Sequence, residues 1–486
     1  MNWKRFLMLF VVVAAVSLAS CSGKKGVCTT NCGGGGTNAT LNLTISDTPP
    51  TGVTVLSFTL PISGISLTPS SGSPVSVYSG GSFELTRLQS DTAVVALAVS
   101  VPTGTYTAIN VNLGTSSGVF INASTASITS SAGTCVVGGV CSLPSGAATQ
   151  ITIPISLTLS GGEKQWADLD FNLNNAITST SGITVDFTQK NVLTALTTPP
   201  TGIPSGDTAN IDDFTGSVTA LSASSITVTS SVRGALTASL SSSVTVNDPQ
   251  NQCTGGGSLS CIGKGSIVSL QGVLTTAGVV NATSLDVIDK STTPADEVEG
   301  TIYPSTCNGG SNFGLILSDS VIFTSGSPLA SAGYGAGVCL KLSQAPTFAI
   351  DDGILTGQAG VPTLGFSSSA DMVPGQTVRA KITGAATGTN GSINATATAL
   401  ILRFSRFTAT VGTISGNAFQ LTTLPAYMGT FTVTPQVATY PNATLLEGVT
   451  TVSNLTFGQT VSVSTLYLNP ATNTQFPFQA AKVRSQ

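Results

Sequence analysis

The chain has 486 residues, long enough for three or four domains, but only 8% of them are charged, against roughly 25% in an average globular protein. The formal net charge is −4 and the cations form no cluster, so binding to nucleic acid, which needs Lys and Arg to neutralise phosphates, is not expected. The chain contains no His, which excludes a Ser-His-Asp or Cys-His catalytic site and any His metal ligand.

Residues 1–20 have the features of a signal peptide. After Lys4 and Arg5, fourteen mainly apolar residues follow, too few at about 1.5 Å per residue to cross a bilayer of roughly 30 Å. The run ends in Leu18-Ala19-Ser20-Cys21, which resembles the lipobox of bacterial lipoproteins. That resemblance implies lipidation of Cys21 and cleavage before it. The alternative is an ordinary secretory peptide with a chance Cys at this position.

Residues 21–38 predict a flexible tether, because they include four consecutive glycines and have almost nothing to bury. In the lipoprotein family, an Asp after the acylated Cys commonly retains the protein at the inner membrane. Ser22 stands there instead and favours the outer membrane. We therefore expect a lipid-anchored protein of the cell envelope, facing the periplasm or the cell surface, with the membrane as one partner.

Beyond Cys21 the chain has eight Cys, an even number that fits an oxidising compartment. They fall into successive pairs that predict local disulfides, with a metal site or free thiols as the alternative. No cofactor is expected. The pairs are Cys28 and Cys32, Cys135 and Cys141, Cys253 and Cys261, and Cys307 and Cys339.

Residues 39–200 are predicted to form an antiparallel β-sandwich. Apolar and polar residues alternate over 40–46, 105–113 and 150–159, the period of strands with one buried face. Many such strands with turn residues between them are typical of a sandwich in an otherwise all-β chain. A further strand supplies four core candidates, namely Trp166, Leu169, Phe171 and Leu173.

Three short motifs in this region resemble an uncharacterised bacterial lipoprotein domain, domain of unknown function 4382. They are Leu43-Thr-Ile-Ser-Asp47-Thr-Pro49, Phe83-Glu-Leu-Thr-Arg-Leu88 and Val101-Pro-Thr-Gly104-Thr-Tyr106. The resemblance covers about residues 39–195. It implies a location in the envelope and a fold, and it implies no activity.

A stretch rich in Pro and Gly follows the sandwich and predicts a linker over residues 201–211. Three units of related sequence then occupy residues 212–290, 296–404 and 405–486. The first mark in each unit contains Gly216, Gly300 or Ala409, and the second is a Gly-x-x-Val step that begins at Gly265, Gly375 or Gly458. The two marks lie 49 residues apart in the first and third units and 75 apart in the second, where the wide pair of Cys lies. We interpret the units as an internal repeat.

Each repeat is expected to be a small barrel of five or six strands, since Gly permits a turn or bulge and Val re-enters the strand pointing inward. The units resemble the OB-like barrels of domain of unknown function 5666, whose role is unknown. They lack the basic and aromatic stripe with which OB barrels bind nucleic acid. The expected fold is therefore a sandwich followed by three OB-like barrels.

The few acidic residues offer weak candidates for chemistry. Asp168 and Asp170 share one face of a strand and could form a carboxylate pair or calcium ligands. Alternation puts them opposite Leu169 and Phe171, hence on a face expected to be wet, where carboxylates are usually solubilising. The remaining acids of note are Glu163 near Trp166, Asp207, Asp212 and Asp213 in the linker, and Asp351 and Asp352 in the second barrel.

Two functional hypotheses remain. The favoured one is a membrane-anchored, non-catalytic lipoprotein of the cell envelope, a rod of β-domains that presents loops for adhesion, glycan binding or scaffolding. Its partner would be a glycan or an envelope protein. The alternative is an envelope polysaccharide hydrolase, which needs two Asp or Glu carboxyls about 5–10 Å apart in one pocket.

Overall fold

The computed structural model describes residues 38–486 except 180–181, 231–232, 255, 291–294, 304–306, 308–311, 389–391 and 430, and it describes only the backbone of Asp212 and Asn312. The lipobox with Cys21, the tether, Cys28 and Cys32 lie outside the described residues. Within the described part of the chain, no helix combines the length and the apolar character that a membrane span requires.

The described part of the N-terminal domain is built from fifteen strands, in the region where the sequence alternates between apolar and polar residues. The strands are β1 (Ala39–Thr48), β2 (Thr54–Pro69), β3 (Val75–Tyr78), β4 (Gly81–Glu84), β5 (Ala93–Val101), β6 (Gly104–Leu113), β7 (Ser117–Ile121), β8 (Ile128–Ser130), β9 (Gly133–Cys135), β10 (Val140–Ser142), β11 (Thr149–Leu159), β12 (Lys164–Asn172), β13 (Ile177–Thr178), β14 (Thr184–Val185) and β15 (Leu193–Leu196).

Two sheets of this domain enclose one hydrophobic core. The first has the order β15-β12-β1-β5, and the second has the order β10-β7-β2-β6-β11, with β3 and β4 paired to β2. Leu43 and Phe171 enter the core from the first sheet, and Phe58 and Val111 enter it from the second. The rings of Phe58 and Phe171 have centroids 6.3 Å apart. The two sheets therefore pack against each other around one core, and we call this region the sandwich.

One pair of strands departs from the expected antiparallel sandwich. β1 and β12 run parallel, with Leu43 opposite Ala167 and Ile45 opposite Leu169. A parallel pair requires a crossover, and the ten intervening strands make that connection. β1 is also buried along nearly its whole length, on both faces. The prediction of one buried face was wrong for this strand, because the C-terminal units cover its second face.

Helical segments are short and lie between strands. One of them, Leu85–Gln89, follows β4 and buries Leu85 and Leu88 in the sandwich core, whereas Arg87 is buried on the side of the C-terminal units. The α-helix is α1 (Leu173–Ala176), and the 3-10 helices are Leu85–Gln89, Leu259–Cys261, Pro328–Ser331, Gly353–Leu355, Ser369–Asp371, Ala426–Met428 and Val452–Asn454.

The C-terminal part of the described chain is built from sixteen strands. They are β16 (Asp207–Leu221), β17 (Ser225–Ser230), β18 (Gly234–Ser239), β19 (Thr245–Asn247), β20 (Ile267–Thr275), β21 (Val280–Asp289), β22 (Asp296–Tyr303), β23 (Asn312–Val321), β24 (Gly337–Ile350), β25 (Thr377–Thr387), β26 (Ile393–Ser415), β27 (Ala418–Thr423), β28 (Gln436–Ala438), β29 (Leu445–Glu447), β30 (Thr460–Tyr467) and β31 (Phe478–Ser485).

The first unit closes into a five-stranded barrel. β16 pairs with both β17 and β20, β17 pairs with β18, and β20 pairs with β21. The ring is completed where Ser239 of β18 meets Asn281 of β21 in a parallel pairing. Val218, Val228 and Leu270 lie in its core. Since β16 begins at Asp207 and pairs with β20 from there, residues 207–211 are strand and not linker as predicted.

The second and third units repeat this scheme of pairings. In the second, β22 pairs with β23 and β25, and β24 meets β26 in parallel. In the third, β26 pairs with β27 and β30, and β28 meets β31 in parallel. Both units use β26, the single strand Ile393–Ser415. The boundary predicted between residues 404 and 405 thus falls inside a continuous strand.

The repeat marks occupy equivalent positions in the three units. Gly216 lies opposite Val268, Gly300 opposite Val378, and Ala409 opposite Val461. Each pair joins the first and fourth strands of a ring, counted without the short strands β19 and β29. The second mark is a turn before the fourth strand, with a positive φ of 89° at Gly265, 96° at Gly375 and 84° at Gly458. The two marks therefore take the same places in the strand pairings of all three units.

Candidate functional site

Buried charges meet where the N-terminal sandwich and the three C-terminal units come together, and we refer to these four parts of the one compact unit Asn38–Gln486 as domains. All six arginines beyond residue 5 take part, although they are spread over almost 400 residues of sequence. We call this cluster the charged junction. Its cations are Arg87, Arg233, Arg379, Arg403, Arg406, Lys482 and Arg484, and its acids are Asp91, Asp213, Asp286, Glu297, Glu299, Asp319, Asp351 and Glu447.

Asp213 on β16 lies at the centre of the charged junction. It accepts a hydrogen bond from Arg87 of the sandwich, from Arg403 at 2.9 Å and from Arg406 at 3.0 Å. These donors belong to the sandwich and to the strand shared by the second and third barrels. The carboxylate of Asp213 therefore links the first barrel to the three other domains.

Glu299 on β22 is a second point of convergence. Arg379 donates to it at 2.8 Å, Arg87 lies 3.2 Å from it, and Arg403 lies 3.4 Å from it. Arg403 also forms an ion pair with Asp351, in the segment after β24. Three cations thus surround a carboxylate that is fully buried.

The third barrel adds a smaller group of charges against the sandwich. Arg406 donates to Asp91 at 2.7 Å, and Lys482 lies 3.4 Å from both Asp91 and Glu447. Arg484 pairs with Glu447 and donates at 2.9 Å to the backbone carbonyl of Leu88. The last strand of the chain is therefore tied to the 3-10 helix that carries Arg87.

Two glutamates on one strand have opposite pKa shifts. Burial opposes ionisation of Glu299, but the guanidinium groups of Arg379, Arg403 and Arg87 outweigh it and lower the pKa to about 2. Burial raises the pKa of Glu297 to about 7, because Arg379 compensates only in part and Asp289 adds to the rise. At neutral pH the charged junction thus holds one firmly ionised carboxylate beside one that is readily protonated.

The ion pairs of the charged junction hold the domains against one another. Its arginines donate to carboxylates of other domains, and buried pairs of this kind favour a unique arrangement because an unpaired buried charge is costly. The arrangement differs from the expected rod, since the sandwich contacts all three barrels through Arg87, Asp91 and Leu88. Among the described residues, no group of three or more Cys, Asp or Glu is placed to hold a metal ion.

The prediction that Asp168 and Asp170 lie on a wet face was wrong. Asp168 is only 4% exposed and accepts hydrogen bonds from Thr44 at 2.6 Å and from Ser46, both on β1. Asp170 is partly buried and accepts from Thr48 at 3.1 Å. Alternation did place both opposite Leu169, but their own face is covered. Trp166, on the same face, packs into the core of the first barrel.

Burial shapes the ionisation of this acidic row, which also includes Asp47. It raises the pKa of Asp168, and together with the neighbouring Asp168 charge it raises the pKa of Asp170 to about 6. Burial and the charge of Asp170 hold the pKa of Asp47 well above its usual value. Raised carboxyl pKa values are typical of catalytic acids, but these side chains lie between domains and line none of the main cavities.

The other acids predicted from sequence take separate places. Asp213 belongs to the charged junction, so its assignment as linker polarity was wrong. Asp351 is fully buried against Arg403, whereas Asp352 accepts a hydrogen bond from Thr356. Glu163 accepts from the backbone of Ser160 in a turn. Asp207 begins β16, and the side chain of Asp212 is outside the described part of the chain.

Disulfides join three of the predicted Cys pairs. Cys135–Cys141 closes a loop that bears Val136 and Val137, which are 61% and 54% exposed. Cys253–Cys261 closes a loop before β20, and Cys307–Cys339 ties the start of β24 to the segment before β23. The three bonds staple loops within single domains.

Two cavities lie along the seam between the sandwich and the third barrel. The first has a volume of about 440 Å³ and is lined by Thr, Ser and Pro side chains together with apolar ones, and Arg87 and Arg406 also border it. The second, of about 460 Å³, adjoins it through Pro49, Thr51 and Thr460. A third, of about 250 Å³, lies against Asp91, Asp213 and Lys482 in the charged junction. Two of these three cavities therefore lie along the seam.

The sequence alone did not predict the charged junction, although two of its acids, Asp213 and Asp351, were among the candidate residues. Most of its members stand inside strands, and some interrupt apolar runs, as in Leu400-Ile-Leu-Arg403-Phe-Ser-Arg406. Charged residues are almost never fully buried unless they are paired. A charged residue at an apolar position of a strand was therefore a signal for a buried ion pair. It does not show which residue of opposite charge completes the pair.

Comparison with known proteins gives one family match. Residues 38–188 match the model of a domain of unknown function, DUF4382, so the N-terminal domain resembles that family as predicted. No curated protein matches the chain. Among solved structures, that of the Drosophila protein Unr ("drosophila Unr CSD456") has 9% sequence identity and a TM-score of 0.12, with 56% of this chain and 97% of that chain covered.

Proposed function

We propose that the chain is a membrane-anchored, non-catalytic lipoprotein of the cell envelope whose β-domains form one rigid body and present surface loops for binding. The charged junction is the observation that carries this proposal. It uses the six arginines beyond residue 5 to hold domains together. A body fixed in this way suits adhesion, glycan binding or scaffolding, because loops on a rigid scaffold keep a constant geometry.

The lipid anchor rests on the lipobox. Leu18-Ala19-Ser20-Cys21 follows an apolar run of signal-peptide length. Residues 38–188 match domain of unknown function 4382, the lipoprotein domain that the sequence motifs resemble. Ser22 after the acylated Cys favours the outer membrane. Eight further Cys suit an oxidising compartment outside the cytoplasm.

The three C-terminal units are proposed to be OB-like barrels related to domain of unknown function 5666. Support comes from the strand pairings, in which the first strand pairs with the second and fourth and the third meets the fifth in parallel. This is the connectivity of a five-stranded Greek-key barrel. The acidic balance of the chain and the use of its arginines inside the molecule argue against nucleic acid as a partner.

The alternative, a polysaccharide hydrolase, draws on the raised pKa values of Asp168 and Asp170. Glycosidases need two carboxyls on either side of a bound sugar. Here both carboxyls accept hydrogen bonds from hydroxyls of β1 in the covered face of a sheet. Cleavage of envelope polysaccharide by the full-length protein that is lost on Asp168→Asn with Asp170→Asn would favour the hydrolase and contradict the proposal.

The experiment that tests the anchor and its orientation is protease digestion of intact cells that express the full-length protein or the Cys21→Ser variant. We expect the wild-type protein to remain with the outer membrane and the variant to be released. Digestion on intact cells would assign the barrels to the cell surface, and protection until the outer membrane is opened would assign them to the periplasm. Release of both proteins into the soluble fraction would contradict the anchor.

A further inference from the structure

We infer that the depression between the sandwich and the third barrel binds a sugar unit of a β-linked, uncharged glycan, with Phe457 as its stacking platform. This inference rests on the proposed function, since glycan binding is one of the roles given there, and it assigns that role to a site. The depression is the cavity of about 460 Å³ described above, a volume within the roughly 300–1,000 Å³ of small-molecule sites.

Phe457 is the most exposed large apolar side chain of the described residues, at 78%. Single exposed apolar residues are common, so exposure alone identifies no site. Phe457, however, borders a depression whose other lining side chains are mostly polar, including Asn174, Gln459 and Gln486. An aromatic ring beside amide and hydroxyl groups is the combination that a sugar requires, because its C–H face packs on the ring while its hydroxyls need hydrogen bonds.

The fold does not require an aromatic residue at this position. The same turn precedes the fourth strand in each unit, closed by a backbone hydrogen bond from Ser266 to Gly263, from Gln376 to Val373, and from Gln459 to Thr456. The position before the turn glycine is Lys264 in the first unit and Pro374 in the second. A turn with Gly at its third position accepts most residues at its second, and Pro is favoured there. Phe457 is therefore explained by something other than turn geometry.

The Phe457 turn is held in place before any ligand arrives. Gln459 accepts hydrogen bonds from the backbone nitrogen of Thr456 at 2.9 Å and from its hydroxyl at 3.4 Å. Such a turn fixes the backbone that carries the ring, so less conformational freedom is lost on binding, and this lowers the entropic cost of association. The platform is thus pre-organised on the third barrel.

Polar groups on both sides of the depression keep unused hydrogen-bonding capacity. The Oδ1 atom of Asn174 accepts from the backbone and the hydroxyl of Thr51, at 3.0 and 2.8 Å, and its Nδ2 atom donates to no residue that the structure describes. Nε2 of Gln486 donates to Gln89 and Ser462, and within the same described residues its Oε1 atom accepts nothing. One donor and one acceptor are therefore available to a sugar hydroxyl, which can accept and donate.

The charge of the depression selects the class of glycan. None of its described lining residues has a charged side chain, so it offers no cationic side chain to a uronic acid or a phosphate. A β-1,4-linked glucose or N-acetylglucosamine unit carries no charge and exposes a face of axial C–H bonds to an aromatic ring. An α-linked chain curves and presents that face less continuously. We therefore expect preference for β-linked oligomers.

The test is isothermal titration calorimetry of the full-length protein in detergent with cellotetraose, chitotetraose and maltotetraose. At least one β-linked oligomer should bind. Phe457→Ala should weaken that binding at least tenfold, and Asn174→Ala should weaken it by a smaller factor. Phe457→Trp should restore it. The matched control is Phe323→Ala, which removes a ring that is 44% exposed on the second barrel, outside the depression, and should bind like the wild type.

Three outcomes would overturn the inference. They are no binding of either β-linked oligomer by the wild type, unchanged binding by Phe457→Ala, and equal weakening by Phe323→Ala. Thermal unfolding of each variant shows whether it folds, and Phe457→Ala should unfold like the wild type because its ring is exposed. Retention in the outer membrane, measured separately, decides the proposed anchor, so failure of the sugar site and failure of the proposed function remain distinct.

Discussion

The guanidinium group of Arg87 lies 3.2 Å from the carboxylate of Glu299, across 212 residues of sequence. Arg87 stands on a 3-10 helix of the sandwich and Glu299 on the first strand of the second barrel. Because Arg87 also donates to Asp213 of the first barrel, one side chain joins three domains. The sandwich and the barrels are therefore expected to unfold together.

Replacing Arg87 should test this coupling. Arg87→Met keeps the length of the side chain but leaves Asp213 and Glu299 with one cation fewer, and breaking a buried pair in this way typically costs about 3–5 kcal/mol. Urea unfolding followed by circular dichroism should show a lower midpoint. The control is Lys264→Met, which removes a cation from an exposed turn and should change little. Equal midpoints for the two variants would mean that the charged junction contributes nothing to stability.

Glu299→Gln should destabilise the protein at neutral pH. The folded-state pKa of Glu299 is lowered to about 2, so its ionised form stabilises the fold above the unfolded pKa near 4.5, and this stability is lost as the pH falls toward 2. We expect the variant to be less stable than the wild type by about 3 kcal/mol at pH 7. The difference should shrink between pH 4.5 and pH 3 in urea unfolding. A difference independent of pH would assign the loss to packing and not to charge.

Glu297→Gln should have the opposite effect, although the residue lies only two positions away on the same strand. Its folded-state pKa is raised to about 7, so between pH 4.5 and 7 the folded protein keeps a proton that the unfolded chain has lost, and stability falls as the pH rises. Gln resembles the protonated form. The variant should match the wild type near pH 4.5 and exceed its free energy of unfolding at pH 8 by about 3 kcal/mol. Lower stability at pH 8 would show that the pair with Arg379 outweighs burial.

The local sequence pattern predicted strands and turns, whereas the charged junction depends on contacts between residues that are distant in sequence. Alternation over 40–46, 105–113 and 150–159 located three strands, and the Gly-x-x-Val steps located the turn that repeats in the barrels. The charged junction could not be predicted, because Arg87 and Glu299 are distant in sequence and nothing local marks one as the partner of the other. The same limit explains Asp168. Alternation gave its face correctly, but only tertiary packing covers that face.

The disulfides should differ in what they contribute. In the chain-entropy model the stabilisation grows with the length of the closed loop, to about 4 kcal/mol for Cys307–Cys339 with a separation of 32 residues and about 2 kcal/mol for Cys135–Cys141 with a separation of 6. Paired Cys→Ser variants compared by urea unfolding should reproduce this order. The reverse order would show that loop closure is not the main contribution of these bonds.

Gly300 gives a test of the repeat itself. A Cβ atom at this position would lie 2.1 Å from the carbonyl oxygen of Ile316, whereas the equivalent position of the third barrel is occupied by Ala409. Gly300→Ala should therefore force β22 and β23 apart and destabilise the protein by about 1–3 kcal/mol, the usual cost of overpacking.

The control for Gly300→Ala is Gly384→Ala in β25 of the same barrel. A Cβ atom there meets nothing within 4 Å, so its effect on the urea midpoint should be small. Ala409→Gly should cost about 1 kcal/mol, since it removes one buried methyl group. If Gly300→Ala were as stable as Gly384→Ala, β22 and β23 could separate without cost. The close approach of Ile316 to Gly300 would then not explain why the second repeat has a glycine where the third has Ala409.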